Sequence, residues 1–274
     1  MKLTILGCHS ATPSKNAHTT SQVLQIKKHL FLIDCGEGTQ IQLRNKKINF
    51  SRIKHIFISH LHGDHFFGLI GLISTFRLLG RKSDLHVYGP KGIKQIITLQ
   101  LKLSNSWTNY NLYFHELEKK ISEFIFEDEF VKVKTIPLDH RIYTNGYLFF
   151  EKREKGKIET KKNKNYDLVL EPYHEKTYAF CTDTAYDTSI VPLIKSVDLL
   201  YHESTFLDLH KKLAKQTKHS TAKEAAKIAQ MAEVKKLVLG HFSSRYTDKE
   251  KFLFEAQTIF DRVVLSSDGK TIEL

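Results

Sequence analysis

Cysteine is scarce in this 274-residue chain: Cys8, Cys35 and Cys181 stand far apart and without CxxC spacing. An odd, sparse set of that kind argues against a disulfide framework and for a reducing compartment. No apolar run is long enough to span a bilayer, and no N-terminal stretch pairs a basic start with an apolar run and a cleavage site. The expectation is a soluble cytoplasmic protein. Linkers, low-complexity tracts and short-period repeats are missing as well, so residues 1–274 read as one domain with a sizeable core. The helical zinc-protease pattern His-Glu-x-x-His does not occur. Acidic residues are too few to balance the basic ones, which leaves a formal charge of +12. The pI of about 9.4 reflects the same excess. Nucleic acid is the partner this suggests most directly, because neutralising phosphates releases counterions, although an anionic small substrate also fits.

What the chain does have is histidine in a concentrated form: Ser59-His60-Leu61-His62-Gly63-Asp64-His65. The apolar run 56–58 before it is β-branched and aromatic and reads as the end of a buried strand, 56–59. The run 66–79 after it has helical length and spacing. The histidines therefore fall on a strand-to-helix turn at the carboxyl end of a strand, where α/β proteins place ligands. Neutral imidazole and carboxylate suit zinc, and a short loop can point alternate side chains at two neighbouring metals.

Strand-like runs recur along the chain at 3–6, 23–26, 30–33, 85–88, 130–136, 178–181, 198–201 and 236–239, with shorter ones around Phe114 and Ile125. A helix is expected over 93–101, and an alanine-rich amphipathic helix over 220–231, where Thr221 and Glu224 have capping-box spacing. Polar residues follow several strands: Asp34 before Cys35-Gly36, His140 after Leu138-Asp139, Asp183 after Cys181-Thr182, His202-Glu203, and His241 after Gly240. For Asp34, a turn-capping role and a role in orienting a ligand are both open. Residues 151–176 carry Lys152, Arg153, Lys155, Lys157, Lys161, Lys162 and Lys164 among few apolar residues, and read as an exposed loop or hairpin. Periodicity alone supports an α/β protein with mixed sheets.

His60-x-His62-x-Asp64-His65 resembles the signature of the metallo-β-lactamase superfamily. The likeness extends through Phe31-Leu32-Ile33-Asp34-Cys35-Gly36-Glu37-Gly38-Thr39-Gln40, Tyr88-Gly89-Pro90-Lys91-Gly92, His202-Glu203-Ser204-Thr205-Phe206, His219-Ser220-Thr221 and His241-Phe242-Ser243-Ser244-Arg245-Tyr246. Taken in that order, these motifs resemble the ribonuclease Z family of tRNA 3′-end-processing endonucleases over nearly the whole chain. The metal signature alone is shared by many hydrolases; the ordered set is far more specific.

The resemblance implies a four-layer αββα sandwich, two mixed β-sheets flanked by helices. It implies two zinc ions, with manganese or iron as alternatives. His60, His62 and His140 would hold one ion, Asp64, His65 and His241 the other, and Asp183 would lie between them. Asp64 would also accept a proton from the metal-activated water that attacks the phosphodiester. Glu203 would orient His219, which would act on the scissile phosphate or the leaving 3′ oxygen. The implied reaction removes the 3′ trailer from precursor tRNA and leaves a 3′-hydroxyl on the tRNA. The family is usually homodimeric, with a flexible arm that grips tRNA.

Two departures stand out. Ala17 and His18 occupy positions where the family often has Arg-Asn, which leaves Lys15 as the candidate phosphate contact of that loop. The arm region, 151–176, is contracted and lacks the family's Gly-Pro, so Lys161, Lys162 and Lys164 are the candidate tRNA contacts there. Arg245 is expected either to touch phosphate or to brace its loop. Two other functions compete. A small-ester hydrolase with the same metals would share the ligands but not the Glu203–His219 pair, and an RNA-binding relative with a decayed site should have lost a ligand.

Overall fold

The computed structural model describes residues 1–152, 160–162, 168–170 and 175–274, the two short internal stretches by backbone alone. The first half builds β1 (Lys2–Gly7), β2 (Ser21–Ile26), β3 (His29–Cys35), α1 (Thr39–Asn45), β4 (Ile53–Phe57), α2 (Gly63–Leu78), β5 (Leu85–Pro90), α3 (Ile93–Leu103) and β6 (Leu112–Leu117). The second half continues with β7 (Phe124–Glu127), β8 (Val131–Leu138), β9 (Thr144–Glu151), β10 (Thr160–Lys162), β11 (Leu168–Leu170), β12 (Thr177–Cys181) and β13 (Leu199–Glu203). It ends with α4 (Lys211–Thr217), α5 (Ala222–Met231), β14 (Leu237–Gly240), α6 (Glu250–Gln257), β15 (Val263–Leu265) and β16 (Thr271–Glu273).

Two seven-stranded sheets result, ordered β16-β1-β2-β3-β4-β5-β6 and β15-β14-β13-β12-β9-β8-β7, with β10 and β11 forming a separate hairpin. Each sheet is parallel in one half and antiparallel in the other: β3 to β6 and β12 to β15 run parallel. The strands are apolar nearly throughout because both of their faces are covered. In β3, Phe31 and Ile33 join the core between the sheets, whereas Leu30, Leu32 and Cys35 join the core under α1, α2 and α3. Aromatic rings bridge the sheets, with Phe31 and Phe57 at 5.6 and 5.3 Å from Phe149. The second sheet is covered by α5 and α6, whose Ala225, Ile228, Phe252 and Ala256 pack in a core continuous with the one between the sheets. This is the expected four-layer αββα sandwich.

Local signals explain several elements. Thr221 accepts a hydrogen bond from the Glu224 amide at 3.2 Å while Glu224 accepts one from the Thr221 amide at 3.1 Å, which completes the capping box of α5. The strand β9 is hidden in the sequence because Asn145-Gly146 looks like a turn. Gly146 serves a different purpose: a Cβ there would lie 2.3 Å from the Phe180 carbonyl oxygen, so the glycine permits close strand approach. The strand at 56–59 is shifted to Ile53–Phe57, and Glu203 is the last residue of β13 and not a loop residue beyond it.

Candidate metal centre and active site

The topology delivers the polar residues to one edge. Because β8, β12, β13 and β14 point the same way, His140, Asp183, Glu203 and His241 emerge at the same end of the second sheet. The ends of β3 and β4 bring Asp34, Ser59 and His60 to the facing end of the first sheet, and the first turn of α2 supplies Asp64 and His65.

Two donor sets form there. Nε2 of His60 and of His140 lie 3.0 and 3.3 Å from Nδ1 of His62, and Oδ2 of Asp183 is 3.6 and 3.9 Å from the same two Nε2 atoms. In the second set, Asp64 Oδ2 is 3.5 Å from His65 Nε2 and 3.4 Å from His241 Nε2, which are 3.3 Å apart. Asp183 reaches this set as well, at 3.6 Å from His65 Nε2 and 3.2 Å from His241 Nε2. Four donors around one cation at zinc bond lengths stand about 3.4 Å apart in a tetrahedron. His60, His62, His140 and Asp183 have spacings near that, Asp64, His65 and His241 form a three-donor set of the same spacing, and Asp183 approaches the two histidines of that set.

Proton placement supports the same reading. Ser59 Oγ donates to Asp34 Oδ2 at 2.9 Å, so it accepts from His60 Nδ1 at 3.0 Å. Thr205 Oγ1 donates to Glu203 Oε2 at 2.7 Å, so it accepts from His241 Nδ1 at 2.8 Å. His65 Nδ1 donates to Asp34 Oδ2 at 2.7 Å and His140 Nδ1 to the Lys218 carbonyl at 2.8 Å. Each of these four rings is thereby fixed in the tautomer whose Nε2 lone pair points inward, the arrangement of a metal-ligating histidine. Lone pairs facing one another at such distances repel unless a cation lies among them. The donors fit a divalent metal.

Charge is arranged to match. Burial and then the neighbouring His65 hold His60 well below its ordinary pKa, and burial with His140 lowers His62 to about 4, so both are neutral donors. Burial opposes charge on Asp64, but His65 and His241 outweigh it and keep the carboxylate ionised. For His65 burial is likewise overcome, here by Asp183, Asp64 and Asp34, which favour a positive charge at that point. A bound cation would answer the same carboxylates. Asp64 is further fixed by the Ala11 amide, which donates to Oδ2 at 2.8 Å.

Beside the donors stands a second pair. His219 Nδ1 lies 2.7 Å from Glu203 Oε1, and Glu203 is fully buried with further donations from the amides of Thr184 and Thr205, each at 3.0 Å. Burial disfavours charge on His219, but Glu203 and Asp183 prevail and raise it to about 9. Glu203, saturated by its donors, anchors His219 through Nδ1, which also lies 3.9 Å from Asp183 Oδ2.

A beta-lactamase superfamily domain model matches residues 29–242. The chain is 46% identical to ribonuclease Z of Bacteroides thetaiotaomicron over 300 aligned positions, covering all of this chain and 95% of that protein. It is 45% identical to ribonuclease Z of Cytophaga hutchinsonii, covering 98% of this chain and 95% of that one. The chain belongs to the ribonuclease Z family. Among solved structures, human tRNase Z, short form, superposes with a TM-score of 0.80 at 32% identity and covers all of this chain and 99% of its own.

In this ribonuclease Z family member the sequence-expected ligands His60, His62, Asp64, His65, His140, Asp183 and His241 all converge on the site described, as do Glu203 and His219. The open question over Asp34 resolves toward orientation, since it bonds His65 and Ser59 and has no exposure. Arg245 braces its own loop, with Nε on Ser243 Oγ at 3.2 Å and the guanidinium 5.3 Å over the Phe206 ring. Lys15 is exposed on the 10–18 loop. The backbone of Lys161 and Lys162 lies in β10, but their side chains, and all of Lys164, are outside the described residues. Sequence reasoning missed Ser59, Thr205, the Lys218 carbonyl and the Ala11 amide. Ser59 and Thr205 at least stood beside motif residues; nothing local marked the other two.

Proposed function

We propose that this chain is a metal-dependent endoribonuclease that removes the 3′ trailer from precursor tRNA and leaves a 3′-hydroxyl on the tRNA. The observation that carries the reading is the Glu203–His219 pair set against two donor sets, with Asp183 within 3.2–3.9 Å of histidines of both. We assign His60, His62 and His140 with Asp183 to one zinc ion, and Asp64, His65 and His241 with Asp183 to a second. When bound, such ions supply Lewis-acid activation of water and neutralise phosphate charge. The protein's own part is positional and acid–base. Asp64, held by the Ala11 amide, can accept a proton from the attacking water. His219, its Nδ1 tied to Glu203, presents a proton on Nε2 to the leaving 3′ oxygen. The basic excess of the chain favours a polyanionic substrate, and the aligned 300 positions exceed the 274 residues here, in keeping with a contracted arm across 151–176.

The working unit we propose is a homodimer. Along one side of α2, Phe67 and Leu78 are 58% and 82% exposed, while its other side packs into the core. On the same outer layer α3 exposes Leu99 and Leu103. Burying these against a second copy would remove apolar surface from water. Among the described residues no helix is long and apolar enough to cross a membrane, and we place the protein in the cytoplasm with its substrate.

The test is incubation of metal-loaded protein with a 3′-extended precursor tRNA, with both product ends mapped. Cleavage after the discriminator nucleotide to give a 3′-hydroxyl is expected. Hydrolysis of bis(p-nitrophenyl) phosphate with the precursor left intact would instead identify a small-ester hydrolase.

A further inference from the structure

The centre opens on one side into a cleft of about 430 Å³ that the metal-ligand assignment does not use. His219 forms part of its wall, and the rest comes mainly from α4 and the turn after Asp183: Lys211, Lys215, Lys218 and Tyr186. Tyr186 is an aromatic residue left 39% exposed. Three lysines and two carboxylates, Asp139 and Glu224, line the cleft. Lys218 is spoken for by Asp139 at 2.8 Å, and Lys211 stands at 3.6 Å from Glu224, whose other oxygen caps α5. Lys215 is exposed and makes no ion pair among the described residues. An exposed ring beside a lysine without an ion pair, with two further lysines at hand, is the chemistry that recognises single-stranded nucleic acid, with a base on the ring and a phosphate on the cations.

Position assigns the side. An in-line displacement at phosphorus puts the attacking and leaving oxygens on opposite faces. The proposed water-activating Asp64 belongs to one donor set, whereas His219 stands on the cleft side of Asp183, at 3.9 Å from it. We infer that this cleft seats the nucleotide whose 3′ oxygen leaves, with its base against Tyr186 and its 5′ phosphate between Lys211 and Lys215. The inference rests on the endoribonuclease reading above and adds to it a determinant of which nucleotide is held at the cut.

The experiment uses full-length, metal-loaded Tyr186→Ala, Tyr186→Phe and Lys211→Ala/Lys215→Ala proteins, each first checked for parental metal content and melting temperature. Against precursor tRNA, Y186A should lower kcat/KM roughly tenfold to a hundredfold, the scale of one lost base–aromatic stack, and Y186F should restore it. The double lysine variant should raise KM and flatten the salt dependence by roughly 0.7 in logarithmic slope per lysine removed. A precursor made abasic at the last retained nucleotide should lose as much with the parent enzyme, and Y186A should then add nothing. Additive losses, or losses that follow an abasic first trailer nucleotide, would overturn the assignment. A parent that cuts the precursor while Y186A cuts it equally well removes the cleft alone. A parent that leaves the precursor uncut removes the reading of the site, and the cleft with it.

Discussion

Two groups of histidines occupy this sandwich, and they are built on opposite plans. At the strand ends, His60, His65, His140 and His241 each donate from Nδ1 to an oxygen and aim Nε2 at a shared space also reached by carboxylates. On β4, β5 and β6, His55, His86 and His115 stack against one another and against Tyr88 and Tyr113, with neighbouring rings 4.2–5.3 Å apart and within about 22° of parallel. Burial lowers the pKa of all three stacked rings, as it does for His60 and His62. Burial that disfavours a charged ring is therefore found in both groups and identifies neither. What separates them is the partner of the second nitrogen. In the stack the one bond between rings joins His86 Nδ1 to His115 Nε2 at 3.0 Å, and the faces are spent on packing. At the strand ends the outer nitrogen is fixed so that the inner one is free to ligate.

The comparison breaks most visibly at Asp183. Asp183→Ala removes the carboxylate that approaches histidines of both donor sets, so metal content should fall and hydrolysis should be abolished. Elemental analysis showing undiminished metal with normal turnover would discard the ligand assignment. His219→Ala probes the neighbouring pair. It should keep the metal, yet turnover should drop by roughly 10²–10⁴, the range for a lost acid–base group. Metal lost along with activity would mean that His219 is a ligand.

A finer cut falls on the orienting shell. Asp34→Asn keeps size and tolerates the left-handed backbone at φ 55°. It replaces the negative acceptor of His65 and Ser59 with a neutral amide. Metal affinity, measured by competition with a chelator, should weaken roughly 10–100-fold. An unchanged affinity would show that His65 is held well enough by packing alone.

How much of this was legible in the sequence follows from how far apart the partners are. The His60-to-His65 run declares itself because six adjacent residues carry four donors, and His140, Asp183 and His241 because each follows a strand end. The capping box of α5 is local and was readable. The Asp34–His65 bond spans 31 residues and the Ala11–Asp64 bond 53, and no spacing rule links such positions before the sheets assemble. Cleft-lining Tyr186 and Lys215 look like ordinary surface residues until α4 folds beside the turn after β12. The stacked histidines carry no local signature, since a cross-strand stack depends on sheet register.

The smallest effect should come from the stack. His55 is lowered to about 3, by burial first and then by His86, and its Nδ1 is buried without a hydrogen-bond partner among the described residues. In the unfolded chain the same ring titrates near 6.5. Between those two values the unfolded state binds a proton that the folded state refuses, so this residue costs stability as pH falls from about 6.5 toward 3 and costs nothing above that range. His55→Phe removes the proton site and the orphaned nitrogen while keeping a ring against Phe126, whose centroid is 4.5 Å away. The variant should match or slightly exceed the parent's melting temperature at pH 7.5, bind the same amount of metal, and lose less on acidification to pH 5. Comparing parent and variant at each pH cancels the acid sensitivity they share through the site. If the two melting curves shift by equal amounts, His55 is as easily protonated folded as unfolded, and burial is not what keeps the stacked rings neutral.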